Sequence, residues 1–159
     1  MKLIINIALG PNDAESHAQL GNLINWTGNP EEGIGLIKKA MRLNPNYPYY
    51  YLFYRGHSHY LLGNNEEAIQ LMKRVVTRAP YFLPVRRHRA VFFQEIGLKK
   101  EARAQVKEVL RIFPGASIAD ERQRCYYKWE PALQKRFFTG LRKSGMPKGR
   151  RGEELMSMD

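Results

Sequence analysis

Few side chains in this sequence stand at the spacings that chemistry requires. His57 and His59 are two residues apart, and on a helix such positions point about 200° from each other, so they cannot grip one metal ion together. His17 and His88 have no ligand-rich surroundings in sequence, and Cys125 is the single cysteine. That cysteine can form neither an internal disulfide nor a cysteine-built zinc site, which fits a reducing compartment. The sequence has no Gly-rich phosphate loop, no Gly-x-Ser-x-Gly and no His-Glu-x-x-His, and no strand pattern to carry such a motif. The expectation is a chain without a catalytic centre, metal or cofactor. Two constellations are suited to binding instead. Arg86, Arg87 and Arg89 form a basic patch that, with Phe92, Tyr126 and Tyr127, could follow a phosphate backbone. Between Tyr47 and Tyr60, six tyrosines and Phe53 fall within fourteen residues. Such a stripe either packs as core or presents rigid apolar area to a partner.

What positions these residues is constrained by composition. The 159 residues are 43% hydrophobic and 26% charged, with a mean hydropathy of −0.51, as expected of one folded domain. No apolar run approaches the roughly 18–20 residues of a membrane span. The opening MKLIINIALG has the charge and short apolar stretch of a weak signal peptide but no small-x-small cleavage site, and it breaks at Gly10-Pro11-Asn12-Asp13, so it reads as a helix. A cytoplasmic location is expected. The net charge of +11 is uneven: residues 1–72 hold 5 Lys/Arg against 6 Asp/Glu, whereas residues 73–151 hold 21 against 6. The second half is therefore a basic surface that either attracts a polyanion or only keeps the molecule soluble.

A period organises the chain. Prolines at 11, 45, 80 and 114 step by 34, 35 and 34, and glycines at 28, 63 and 97 step by 35 and 34. Each unit reads as helix, glycine turn, helix, proline. Asp13 caps a helix to about Trp26; Pro30-Glu31-Glu32 opens the next, where proline and acids suit the first turn. The second unit runs through an aromatic helix to Leu62 and a helix ending before Pro80. The third has helices to Ile96 and over Lys99 to Ile112. Apolar residues recur at helical spacing in the second helices: Ile34, Ile37 and Met41; Ala68, Leu71, Met72 and Val75; Ala102, Val106, Val109 and Leu110. A helix pair this short cannot bury its stripe alone, so pairs must stack.

With Leu20-Gly21, Gly28, Ala40 and Pro45, then Gly56, Gly63, Ala68 and Pro80, then Ala90, Gly97, Ala102 and Pro114, the chain resembles the tetratricopeptide-repeat (TPR) family. Gly33, Arg89 and one extra residue near Tyr47-Pro48 depart from its pattern. A narrower resemblance rests on 116–122, on Tyr127 to Leu133 and on Gly140 to Pro147, with Asn44 to Pro48 and Gly56 to Tyr60. These look like the C-terminal TPR region of bacterial class III adenylate/guanylate cyclase-type proteins, although no cyclase domain fits in this chain. The resemblance implies an all-α, TPR-type α-α superhelix of antiparallel helix pairs that binds a partner protein or peptide on its concave groove, with a link to cyclic-nucleotide signalling. It also implies that Asn22, Asn25, Tyr50, Phe53, His57, Tyr60, Arg87, Val91 and Gln94 line that groove. The clamp by which some members hold chaperone C-terminal tails is not expected, because of its five positions only Asn22 matches.

The expected organisation is a single TPR domain over 1–147. It comprises a half-repeat helix (1–11), repeats at 12–47, 48–80 and 81–114, and C-terminal capping helices (115–147), followed by a flexible tail (148–159). Leu3, Ile4, Ile7 and Leu9 would cover the first repeat on one side and leave an uncapped side through which a homodimer could form. Pro131 to Lys143 reads as an amphipathic helix with Leu133, Phe137, Phe138 and Leu141 inward. Binding of nucleic acid or another polyanion by the basic surface is the competing function.

Overall fold

The computed structural model describes residues 10–124 and 129–149. The expected half-repeat helix and the dimer surface built on it, together with Cys125, Tyr126, Tyr127 and the segment 150–159, lie outside the described residues. Within them are eight helices and no strand: α1 (Ala14–Trp26), α2 (Pro30–Leu43), α3 (Tyr49–Leu61), α4 (Asn65–Arg78), α5 (Leu83–Glu95), α6 (Lys99–Ile112), α7 (Ile118–Arg124) and α8 (Pro131–Lys143). The fold is an all-α helical repeat.

The helix ends follow the punctuation in the sequence. Asp13 accepts a hydrogen bond from the backbone N–H of Glu15 at 3.2 Å and from the Ser16 hydroxyl, capping α1. Pro30 and Pro131 occupy the first turns of α2 and α8, where a missing N–H costs nothing. At Gly28, Gly63 and Gly97 the backbone takes φ of 88°, 75° and 86°, a region open to glycine at little cost. The bonds around all three agree. The glycine N–H reaches back three residues (Gly63 to Tyr60 O, 3.1 Å) and the next N–H reaches back five (Asn64 to His59 O, 2.9 Å). This is the Schellman pattern, which satisfies carbonyls that a helix end would leave bare.

The chain divides into two compact units, Met1–Val85 and Arg86–Asp159, and the division falls inside α5. In the first unit Ile37, Ala68, Leu71, Met72 and Val75 of the expected stripe are buried, and Ala40 with them; Ile34 and Met41, also expected inward, are half-buried. Each fully buried Ile, Leu, Met or Val side chain contributes about 1.5–3 kcal/mol. The departure from the family pattern at Gly33 has a packing reason. A Cβ built on Gly33 would meet the Gly21 carbonyl at 2.8 Å and the Asn25 side chain, and one on Gly21 would meet the Gly33 carbonyl at 2.8 Å. Two glycines thus let α1 and α2 approach at their backbones. The extra residue near Pro48 is fastened by Arg78, which donates to the Tyr47 carbonyl at 3.1 Å and lies over the Tyr47 ring.

In the second unit α6 buries Ala102, Val106 and Val109, and α8 buries Phe137, Phe138 and Leu141. Gly140 lets α8 sit on α5: a Cβ there would lie 2.7 Å from Val91 Cγ1. Ser144 donates to the Ala90 carbonyl at 3.0 Å, and Arg136 makes a bidentate pair with Glu95 at 2.7 Å. The Ile118 and Ala119 N–H groups donate to the carbonyls of Pro147 and Lys148 at 2.8 and 3.1 Å. Lys148, expected at the start of a free tail, is therefore held against α7.

Candidate functional site

The repeat period places equivalent residues of successive first helices side by side, and in the first unit hydrogen bonds join them at that offset. Tyr50 donates from its hydroxyl to Glu15 Oε2 at 2.8 Å, and Tyr51 donates to the same oxygen at 3.1 Å. Tyr54 donates to Gln19 Oε1 at 3.4 Å, while Gln19 Nε2 donates to Glu15 Oε1 at 2.6 Å. Glu15, Gln19 and Asn22 lie at i, i+4 and i+7 along α1, on one face. Glu15 is exposed, and Gln19, Asn22, Tyr50 and Tyr54 are half-buried. Asn22 Oδ1 is enclosed and makes no hydrogen bond within the described residues. The result is a surface of phenol edges, amides and one carboxylate shared by α1 and α3. The Tyr50 phenol is pushed up to about 12, by burial first and then by its hydrogen bond to Glu15; Tyr51 is pushed up further.

The other residues expected to line a groove lie deeper. Asn25 is fully buried: its Nδ2 donates to the Tyr54 carbonyl at 3.2 Å and its Oδ1 accepts from the Ser58 hydroxyl at 2.9 Å. The ability to donate and accept together, which would suit a peptide backbone, ties α1 to α3 here. Phe53 is buried, its ring edge-on to Phe82 at 5.4 Å. His57 is buried too, with its ring 4.4 Å from Trp26 and 6.1 Å from the buried Tyr60.

His57 and His59 diverge, as their spacing requires. His59 Nδ1 takes a hydrogen bond from the Asn64 side chain at 3.3 Å, and burial, then the Arg55 charge, holds its pKa down. No three His, Cys, Asp or Glu side chains among the described residues are grouped to hold a metal.

In the second unit Val91 is buried and Gln94 is half-exposed. Arg87 is 4% exposed and pairs with the buried Glu121 of α7 at 2.9 Å. Burial raises the Glu121 pKa and Arg87 works against that rise. Arg87 is therefore no part of an open basic surface, and of the three patch residues only Arg86 and Arg89 are half-exposed. Arg89, out of pattern for the family, places its guanidinium 5.1 Å from the Phe93 ring centroid. Burial and then the Arg86 charge lower its pKa. Sequence reasoning missed Gln19 and Tyr54. Their signal was a hydrogen-bonding side chain one repeat length before a tyrosine.

No protein-family model matches the chain, and no curated protein matches it. Among solved structures it is similar to MamA, at 16% identity over 89% of this chain and 82% of that one, with a TM-score of 0.60. It is also similar to TTC0263, a thermophilic TPR protein of Thermus thermophilus, at 20% identity over 87% of this chain and 69% of that one, with a TM-score of 0.62. At these identities the likeness is one of fold.

Proposed function

We propose that this chain is a non-catalytic scaffold that holds a partner protein or peptide on the α1–α3 face of its first unit. The observation that carries the reading is the half-buried Tyr50, Tyr54, Gln19 and Asn22 surface organised by Glu15. Tyrosines fixed by their own hydroxyl bonds lose little entropy when a partner covers them, and the Asn22 amide nitrogen and the Glu15 carboxylate lie beside them as donor and acceptor. The likeness of fold to a TPR protein supports the same reading. The polyanion alternative is weaker at the Arg86–Arg89 segment because Glu121 already neutralises Arg87. A place in cyclic-nucleotide signalling rests on the sequence resemblance at 116–147. A cytoplasmic location rests on the lone cysteine and on the finding that no described helix is long and apolar enough to cross a membrane.

The test is a peptide-display selection on the full chain. Peptides that bind should lose about 2 kcal/mol, roughly thirtyfold, with Asn22→Ala/Tyr50→Ala. They should be unaffected by Lys38→Ala on exposed α2, with helical circular dichroism unchanged in both. Binders indifferent to the Asn22/Tyr50 pair would overturn the assignment. Phe53 and Arg87 are buried, so substituting them would report on folding rather than on binding.

A further inference from the structure

The second unit carries most of the positive charge, with 18 Lys/Arg against 9 Asp/Glu over 86–159, compared with 8 against 6 over 1–85. Part of that charge converges. Arg122 on α7, Lys135 and Arg142 on α8 and Lys148 beyond it surround a cleft of about 460 Å³. Lys135, Phe138 and Arg142 fall at i, i+3 and i+7, so α8 turns one face to the cleft. Beneath the charges lie Ile118 and Phe138, 8% and 5% exposed, which form an apolar floor.

One of the cations is held in place by a ring: the Arg122 guanidinium lies over Phe138, 4.4 Å from its centroid, an arrangement that still lets a guanidinium meet a carboxylate. The backbone of Lys148 is anchored by the bond from Ala119 N–H to its carbonyl. None of the four has a carboxylate at ion-pair distance among the described residues. Four other cations of this unit are in ion pairs, Arg87–Glu121, Arg111–Glu108, Arg124–Asp120 and Arg136–Glu95; what sets the cleft residues apart is that they converge on one place. Four like charges around one cleft repel one another, a cost that a bound anion removes.

We infer that the α7–α8 cleft is a docking site for an acidic segment of a partner protein, separate from the α1–α3 face. The floor and the size decide between polyanions. A nucleic acid asks for a track of phosphate contacts and exposed rings on which bases stack. Here the rings Phe137 and Phe138 are both 5% exposed, and the charges ring a single short cleft. A short acidic peptide fits: its carboxylates meet the cations of the rim within that one cleft.

The experiment measures binding of a fluorescent glutamate-rich peptide to the full chain by anisotropy, between about 50 and 200 mM salt. Lys135→Glu/Arg142→Glu is expected to weaken binding by at least about tenfold. Lys99→Glu/Arg103→Glu, the same charge change on exposed positions of α6, should stay within about twofold. The inference fails if the peptide does not bind at the lower salt, or if the two pairs weaken it alike. It fails too if a single-stranded oligonucleotide of equal charge binds more tightly, or if Tyr50→Ala abolishes peptide binding. Should the Glu pair lose its helical spectrum, Lys135→Gln/Arg142→Gln asks the same question with charge removed rather than reversed. Because the readout is independent of α1 and α3, failure of the display selection would leave this result standing, and the reverse also holds.

Discussion

A single carboxylate organises the α1–α3 face. Glu15 Oε2 accepts from two phenols, at 2.8 Å from Tyr50 and 3.1 Å from Tyr51; ionising either phenol would set a second negative charge against it. Burial first, and then this carboxylate, lift both pKa values above the ordinary phenol value of 10.0, Tyr50 to about 12 and Tyr51 higher still. A raised folded-state pKa gives stability that is fully present below the unfolded value and lost as pH climbs through the folded one. Above pH 10 the unfolded chain releases protons that the folded chain keeps, so stability should fall from there through about pH 12. A tyrosinate absorbance titration should show at least two phenols ionising late, together with the loss of helical circular dichroism. In Glu15→Gln their ionisation should move towards the ordinary value, though burial, the larger cause, keeps it from returning fully. If all nine tyrosines ionised together near pH 10 with helices intact, Glu15 would not be the organiser.

At the scale of the element, two glycines of α2 make opposite predictions. Ala is favoured over Gly in a helix interior by about 1 kcal/mol. A Cβ at Gly35 meets nothing within 4 Å, so Gly35→Ala should stabilise by about 0.5–1 kcal/mol. At Gly33 the added carbon meets the Gly21 carbonyl at 2.8 Å and the Asn25 side chain that Ser58 holds. Overpacking there should outweigh the helix preference, for a net loss of about 1–3 kcal/mol. Urea midpoints of the two variants moving in the same direction would show that α1 and α2 are not backbone-close. The contrast also marks what the sequence reveals. Helix ends are written locally, by Asp13, Pro30, Gly63 and Pro131, and each was readable without knowing the neighbour. Whether a side chain on the right face is open or spent depends on a partner far along the chain. Asn25 meets Ser58 and Arg87 meets Glu121, each about one repeat further on; the period sets such positions side by side but does not say which of them pair with each other. Lys135 and Arg142 are seven apart on α8, which in sequence is indistinguishable from an ordinary solvated face. Only Arg122 and Lys148, brought in from outside that helix, make the cleft.

For the whole molecule the decisive quantity is how charge divides between the two units. With 18 Lys/Arg against 9 Asp/Glu, the unit Arg86–Asp159 repels itself, while Met1–Val85, with 8 against 6, is close to balance. Added salt shortens the screening length from about 10 Å at 0.1 M to about 3 Å at 1 M. That should relieve repulsion in the second unit and leave the first nearly unchanged. Hydrogen exchange of backbone amides reads the two separately, since local opening free energies differ along a chain. Raising sodium chloride should slow exchange in α6, α7 and α8 and alter it little in α1 to α4. A glutamate-rich peptide should give the same protection in α7 and α8 at low salt and lose the effect at high salt, because both agents act on the Arg122, Lys135, Arg142 and Lys148 cluster. Equal slowing in both units would assign the salt effect to exclusion from the surface at large. The charge of the second unit would then be a means of solubility and not a binding device.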